Sequence, residues 1–172
     1  MAGMVQISED EASISEHSFK STWTLWTHLP TDDWGLDSYK KITQFKTIEN
    51  SLQLLENLPE NIIKNSMLFL MREDINPLWE DENNKNGGCF SYKVNNKIVN
   101  DLWKKMAYLL MGESLATPEV SKYINGITIS PKKNFCIIKI WLSNCNYNNP
   151  DVITQIDYLN KNGCLFKKHI LD

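Results

Sequence analysis

An indole and a carboxylate stand side by side at Trp79-Glu80. They lie inside Ile75-Asn76-Pro77-Leu78-Trp79-Glu80-Asp81-Glu82, which runs into Asn83-Asn84-Lys85-Asn86-Gly87-Gly88. Pro77 ends any regular element before the pair and the Asn/Gly cluster punctuates after it, so both side chains are expected on a loop. The chemistry open to such a pair is recognition. The indole can stack on a flat base, and a carboxylate, which only accepts, can take two parallel N–H bonds from the base's edge. Guanine offers such a pair in N1–H and the exocyclic N2–H₂. Trp34 sits in a second turn-like stretch, Thr31-Asp32-Asp33-Trp34-Gly35, and would make the opposite wall of a stacking slot. The chain has six Trp, more than a small core needs. From the local residues alone the plainer reading has the stronger claim. It is a core Trp beside a solvated acidic run, because Trp is highly buried on average and short patterns recur by chance.

Other candidates divide in the same way. Trp141 falls in a strand pattern and serves a core or a ligand equally well. Lys132 and Lys133 read as a solvated hairpin tip or as mobile point charges for phosphates. Trp103 belongs to the apolar stripe of a helix and is assigned to the core. Cys89, Cys136, Cys145 and Cys164 form no CxxC pair, and His17, His28 and His169 are far apart in sequence. Zinc is not expected on that spacing, and no other metal or cofactor is expected. Neither a metal-binding carboxylate cluster nor an activated nucleophile can be named, so no enzyme is expected. A net charge of -3 argues against gripping long nucleic acid by its phosphates, but not against binding one nucleotide. Scattered Cys without a signal peptide read as reduced thiols of a cytosolic or nuclear protein, and the location expected is cytoplasmic. No apolar run approaches the ~20 residues of a membrane span.

The elements that must position these residues follow from periodicity. Residues 1–16 are polar and acidic and read as a flexible tail, leaving 17–172 as a single domain. Strands are expected over Phe19–His28, Tyr39–Phe45, Met67–Met71, Cys89–Val94, Ile124–Ile129, Phe135–Leu142 and, roughly, Phe166–Leu171. A helix capped by Thr47 carries Ile48, Leu52, Leu55 and Leu58. A second, over 98–111, carries Val99, Leu102, Trp103, Met106, Leu109 and Leu110 and ends at Gly112. A third opens at Pro150-Asp151, carries Val152, Ile156 and Leu159, and ends at Gly163. The class is α+β, an antiparallel sheet with helices on one face and a polar or functional face opposite.

With these pieces in order, the chain resembles the eukaryotic translation initiation factor 4E family of messenger RNA cap-binding proteins. The resemblance rests on Trp23-x-Leu25-Trp26, the loop Trp34, Phe45-x-Thr47-Ile48-Glu49, Pro77 through Gly88, Trp103, Gly112-Glu113-Ser114 and Ile140-Trp141. It implies a curved antiparallel sheet of about eight strands with three helices on its convex face and a cap-binding slot on its concave face. It also implies that Trp34 and Trp79 sandwich 7-methylguanine and that Glu80 reads the guanine edge. The backbone N–H of Trp79 would meet O6, and Trp141 would touch the N7-methyl group. The partners implied are capped messenger RNA and a scaffold initiation factor, or a diverged equivalent, docked around Ile48, Leu52, Lys104 and Tyr108. The chain is read as a monomer.

Three departures from the family pattern shape the expectations. Cys89 stands where the family carries an Arg on the phosphate side, so Lys132, Lys133 and Lys85 are the cations expected to take over. The chain stops at Asp172, so the family's C-terminal loop near the phosphates is expected to be absent. On the back surface Leu52 and Lys104 hold the positions of a family Trp and Leu, and Ser18 replaces the Pro of its His-Pro motif. The reading is therefore a cap-binding protein of translation initiation. Its alternatives are a cap-sequestering repressor without the usual scaffold, and an interaction module that has lost cap binding.

Overall fold

The alternation of apolar and polar residues builds a sheet with two different faces. The computed structural model describes residues 16–170; most of the tail read over 1–16, and Leu171 of the last strand, lie outside them. In chain order the elements are β1 (Ser18–His28), β2 (Tyr39–Thr47), α1 (Ile48–Asn57), α2 (Glu60–Asn65), β3 (Leu68–Arg72), β4 (Gly88–Asn95), α3 (Val99–Met111), α4 (Pro118–Ser121), β5 (Ile124–Pro131), β6 (Phe135–Leu142) and β7 (Leu165–Lys168). The seven strands form one curved sheet in the order β2-β1-β3-β5-β6-β4-β7, and every pairing is antiparallel. On β3, Leu68 and Leu70 enter the main core under the helices, while Phe69 and Met71 face the other way and pack with Trp141. The same period of two sends Cys136, Ile138, Ile140 and Leu142 of β6 to the helical side. The face opposite the helices is thus floored by a small aromatic cluster and left open around it.

Helix α3 forms as its stripe predicts. Val99, Leu102, Trp103, Met106 and Leu110 are buried, Leu109 is half-buried, and Gly112 is the C-cap. Trp103 is fully buried, as its place on the stripe required. Helix α1 starts at the Thr47 cap, whose hydroxyl accepts the Asn50 N–H at 3.3 Å. Its apolar stripe is split, however. Leu55 and Ser51 face the core, while Ile48 and Leu52 stay 42% and 43% exposed.

The third expected helix does not form. Residues 150–163 hold only two short 3-10 turns, Pro150–Val152 and Lys161–Gly163. The segment is rich in β-branched residues (Val152, Ile153, Thr154, Ile156), which lose rotamer freedom in a helix. Its backbone bonds sideways instead. Thr117 N–H donates to Val152 O at 2.9 Å and Thr154 N–H to Leu115 O at 2.9 Å, and Ile153 bridges Ala116. Ile156 and Leu159 are buried nonetheless, so the three-residue spacing marked burial and not helix. Two short helices that periodicity did not signal, α2 and α4, complete the helical layer, with six and four residues.

The chain's single Arg closes the far end of β3. Arg72 forms a forked ion pair with Glu113 and donates to Ser21 Oγ at 2.8 Å and to Ile124 O at 3.0 Å. Its guanidinium also lies 4.6 Å from the Trp23 ring centre. Both side chains of the pair are largely buried, at 13% and 15% exposure. Arg72→Ala is expected to cost about 3–5 kcal/mol of unfolding free energy, because it strands the Glu113 charge. Urea melts check this. Arg72→Met with Glu113→Leu should recover most of the loss, and an equal loss in the double variant would contradict the stranded-charge account.

Candidate functional site

The loop before β4 owes its shape to small polar side chains turned inward. Asp81 accepts the Asn76 and Asn83 backbone N–H groups at 3.0 and 2.9 Å. Asn84 is fully buried. Its amide donates to Asn76 O at 3.0 Å and Leu78 O at 2.8 Å, and its side-chain oxygen accepts from Asn125 on β5 at 2.9 Å. The Gly87-Gly88 pair then lets the chain press into the sheet. A Cβ on Gly87 would lie 1.7 Å from the Leu142 carbonyl oxygen, and one on Gly88 would lie 2.6 Å from that of Lys167. No side chain fits at either position.

This loop presents Trp79 and Glu80 over the open face of the sheet. A slot of about 410 Å³ lies there, lined by Trp34, Tyr39, Phe69, Trp79, Glu80, Trp141, Lys132 and Lys139, with Met67, Pro77, Leu78, Thr128 and Ser130. Trp34 and Trp79 are 57% and 53% exposed, so neither is a core residue, whereas Trp141 is 2% exposed and floors the slot. Each wall indole has a histidine against it. His28 stacks on Trp34 at 4.2 Å and 15°, and His169 lies parallel to Trp79 at 6.4 Å and 4°. Tyr39 stands edge-on to His28 at 4.8 Å and to Phe69 at 5.3 Å. Burial, with the Glu80 charge adding to it, pushes the Tyr39 hydroxyl up to about 12, so it stays protonated beside that carboxylate. The Glu80 carboxylate and the Trp79 backbone N–H make no hydrogen bond or ion pair among the described residues.

The structure brings Trp34, Trp79, Glu80, Trp141 and Lys132 of the expected set into one slot. Lys133 is exposed next to Lys132 and does not line it. Lys85 is paired with Glu82 at 2.7 Å and lines a separate cleft with Cys145 and Lys168. The slot also holds a cation that the sequence reading passed over, Lys139. It lies two residues before Trp141 on β6, and the strand period alone places it on the same face. On the opposite side, Ile48 and Leu52 are exposed on α1. Glu56 of the same helix accepts from the Tyr108 hydroxyl and lies 3.7 Å from Lys104 Nζ. The acid that Lys104 needs is therefore supplied within the chain.

His169 has no place in the sequence reading, yet it underlies two of the three slot indoles. Its ring is 4.9 Å from that of Trp141, and Nδ1 donates to Asn84 O at 2.7 Å. Burial pushes its imidazole below the ordinary 6.5, and the nearby Lys139 charge adds to that push. The unfolded chain takes up this proton near 6.5 and the folded chain resists it. Stability is therefore present above that pH and falls as the pH drops below it. Urea midpoints at about pH 7.5 and 5.5 should fall together with acid, and fall less in His169→Gln. Glu49 does not interfere in this window. The hydrogen bond from the His17 ring holds it at about 2 against an ordinary 4.5, so its contribution is lost only as pH falls from about 4.5 toward 2. An identical acid response in both proteins would rule out His169 as the cause.

The profile of the eukaryotic initiation factor 4E family matches residues 18–169. Eukaryotic translation initiation factor 4E of Eremothecium gossypii is 34% identical over 134 residues, 73% of this chain and 62% of the relative. Factor 4E-2 of Schizosaccharomyces pombe is 29% identical over 164 residues, 91% of this chain and 65% of the relative. The chain thus spans less than two thirds of the length of these two relatives. Among solved structures, schistosome eIF4E complexed with m7GpppG and 4E-BP superposes with TM-score 0.69 at 27% identity, covering 77% of this chain and 75% of that one. The Caenorhabditis elegans eIF4E-3 complex with the 4E-binding protein Mextli and cap analog reaches TM-score 0.75 at 20% identity, over 90% of this chain and 94% of that one, a likeness of fold. No helix among the described residues is long and apolar enough to cross a membrane.

Proposed function

The chain belongs to the eukaryotic initiation factor 4E family, and we propose that it binds the 7-methylguanosine 5′ cap of messenger RNA and so promotes translation initiation. Residues 17–172 act as one non-catalytic cap-binding domain in the cytoplasm. Trp34 and Trp79 take the base between them, Glu80 accepts N1–H and N2–H₂, the Trp79 N–H meets O6, and Trp141 contacts the N7-methyl group. One observation carries this reading: a carboxylate and the adjoining backbone N–H, both without a hydrogen-bond partner among the described residues, sit in a slot walled by two half-exposed indoles. That is the complement of a guanine edge with its two donors and one acceptor.

The energetics favour the methylated base. N7 methylation spreads a positive charge over the purine, and a cation against an indole face gains about 2 kcal/mol or more when desolvated. Stacking adds about 1–3 kcal/mol per base, and charge-assisted bonds to Glu80 about 1.5–3 kcal/mol. These gains oppose an association cost of at least about 4 kcal/mol. Calorimetric titration with 7-methyl-GTP and with GTP tests the reading. The methylated ligand should bind at least tenfold more tightly, since about 1.4 kcal/mol is a factor of ten. Equal affinities would remove the cation from the account.

Partner docking is assigned to the helical face. The solved relatives titled as complexes with 4E-BP and with Mextli carry a 4E-binding protein. In this chain Ile48 and Leu52 offer the exposed apolar contact, and Lys104 is already neutralised by Glu56. A scaffold-type helix can then dock by shape without bringing an acid of its own for Lys104.

A further inference from the structure

We propose that the open face of β6, β4 and β7 is a track for the RNA chain beyond the cap, with Lys139, Lys93 and Lys167 holding its phosphates. This inference rests on the cap-binding reading and extends it from one nucleotide to several.

Strand register places the three lysines together. Trp141 on the slot floor is opposite Cys89 on β4, and Cys89 is opposite Lys167 on β7. Lys139 is opposite Ser91, and Lys93 is opposite Ile137. Residues opposite one another share a face, so all three lysines lie on the face that carries Trp141. Lys139 and Lys93 are diagonal neighbours, roughly 7–8 Å apart along the sheet. Both Lys139 and Lys167 act on the Cys89 thiol between them, pulling it down against the upward push of burial. Lys139 lines the slot itself, and so the row begins where the base would sit.

Among the described residues of these strands no acid shares the face with the row. The positions alternating with the lysines are Phe135, Ile137, Ser91, Asn95 and Leu165, with no acid among them. None of the three lysines is in an ion pair among the described residues, whereas Lys64, Lys85, Lys104 and Lys161 each pair with a carboxylate. In a chain of net charge -3, the face that leads out of the slot thus gathers three cations and no acid at the strand positions among them. An aromatic platform stands at the far end of the row, where Lys93 Nζ lies 4.4 Å from the Phe135 ring centre. Lysines beside a half-buried ring suit single-stranded RNA held by its phosphates, without sequence preference.

The test compares wild type with Lys93→Ala/Lys167→Ala, both positions exposed and outside the slot lining. Each protein is titrated with 7-methyl-GMP, a capped hexanucleotide and an uncapped hexanucleotide across a salt series. The double variant should bind 7-methyl-GMP as wild type does. It should lose roughly tenfold in affinity for the capped hexanucleotide at low salt, with a log–log salt slope shallower by about 1.4. An unchanged affinity for the capped hexanucleotide, or an equal loss for 7-methyl-GMP, overturns the track. If wild type fails to bind 7-methyl-GMP, the cap reading falls and the uncapped hexanucleotide decides the track alone. Salt-dependent binding that the double variant loses upholds it. Binding that is absent or unchanged overturns it.

Discussion

Glu80→Ala is expected to weaken 7-methyl-GTP binding by roughly tenfold to more than a hundredfold, the equivalent of about 1.5–3 kcal/mol of charge-assisted hydrogen bonding. Trp79→Ala should do at least as much, since it removes one stacking face worth about 1–3 kcal/mol and a share of the cation–π attraction. The side chains differ in what they read. On the proposed reading Glu80 would meet donors that guanine has with or without its methyl group, so its loss should penalise GTP and 7-methyl-GTP alike. Trp79 would meet the cationic ring, so its loss should narrow the gap between the two ligands. Glu80→Gln is the sharper probe. It keeps the shape but turns an NH₂ toward a guanine donor, and a buried mismatch of that kind costs about 1–3 kcal/mol. Neither change should unfold the domain, because Trp79 is half-exposed and Glu80 is paired with nothing among the described residues. Calorimetry with thermal melts separates affinity from stability. Full-strength binding by both Ala variants would refute the sandwich.

Where the period of apolar residues decides an element whatever it pairs with, the chain was readable. The alternating strands and the α3 stripe meet that condition and formed close to the expected bounds, except that the last strand, read to Leu171, ends at Lys168. Residues 150–163 do not, because their hydrogen bonds go to the 114–117 segment, which lies far away in sequence. The candidate slot shows the same division. Trp34, Trp79 and Glu80 announced themselves as aromatic and acidic residues on turn-rich loops. Lys139 could have been found by counting back two residues from Trp141. Asn84, Asn125 and His169 could not. Asn84 looks like one more residue of an Asn-rich turn, and only the fold shows it fully buried and bonded to two carbonyls, the Asn125 amide and, through its own backbone oxygen, His169. Arg72 and Glu113 are likewise 41 residues apart, and nothing local pairs them.

Lys132→Ala with Lys139→Ala is expected to weaken 7-methyl-GTP binding far more than binding of 7-methylguanosine, which has no phosphates. The family pattern would place a guanidinium at position 89, but Cys89 is buried against the sheet and uncharged, its thiol pushed up by burial. The phosphates must then meet ammonium groups. The two that line the slot are Lys132 at the β5–β6 turn and Lys139 on the β6 floor. Hydrogen bonds between charged groups contribute about 1.5–3 kcal/mol each, so losing both should cost 7-methyl-GTP on the order of a hundredfold or more. The single changes should not be equal. Lys132 is an exposed side chain beside Lys133, which can swing over and cover part of its loss. Lys139 is half-buried on a strand with no neighbouring lysine in the slot lining, so Lys139→Ala should be the more damaging. Lys139→Arg should retain phosphate binding, because the charge is kept. Titrating both ligands into the four variants reads this directly. Equal losses for nucleoside and nucleotide would mean that the substitutions disturb the slot, and no loss for either would leave both lysines as solvated charges.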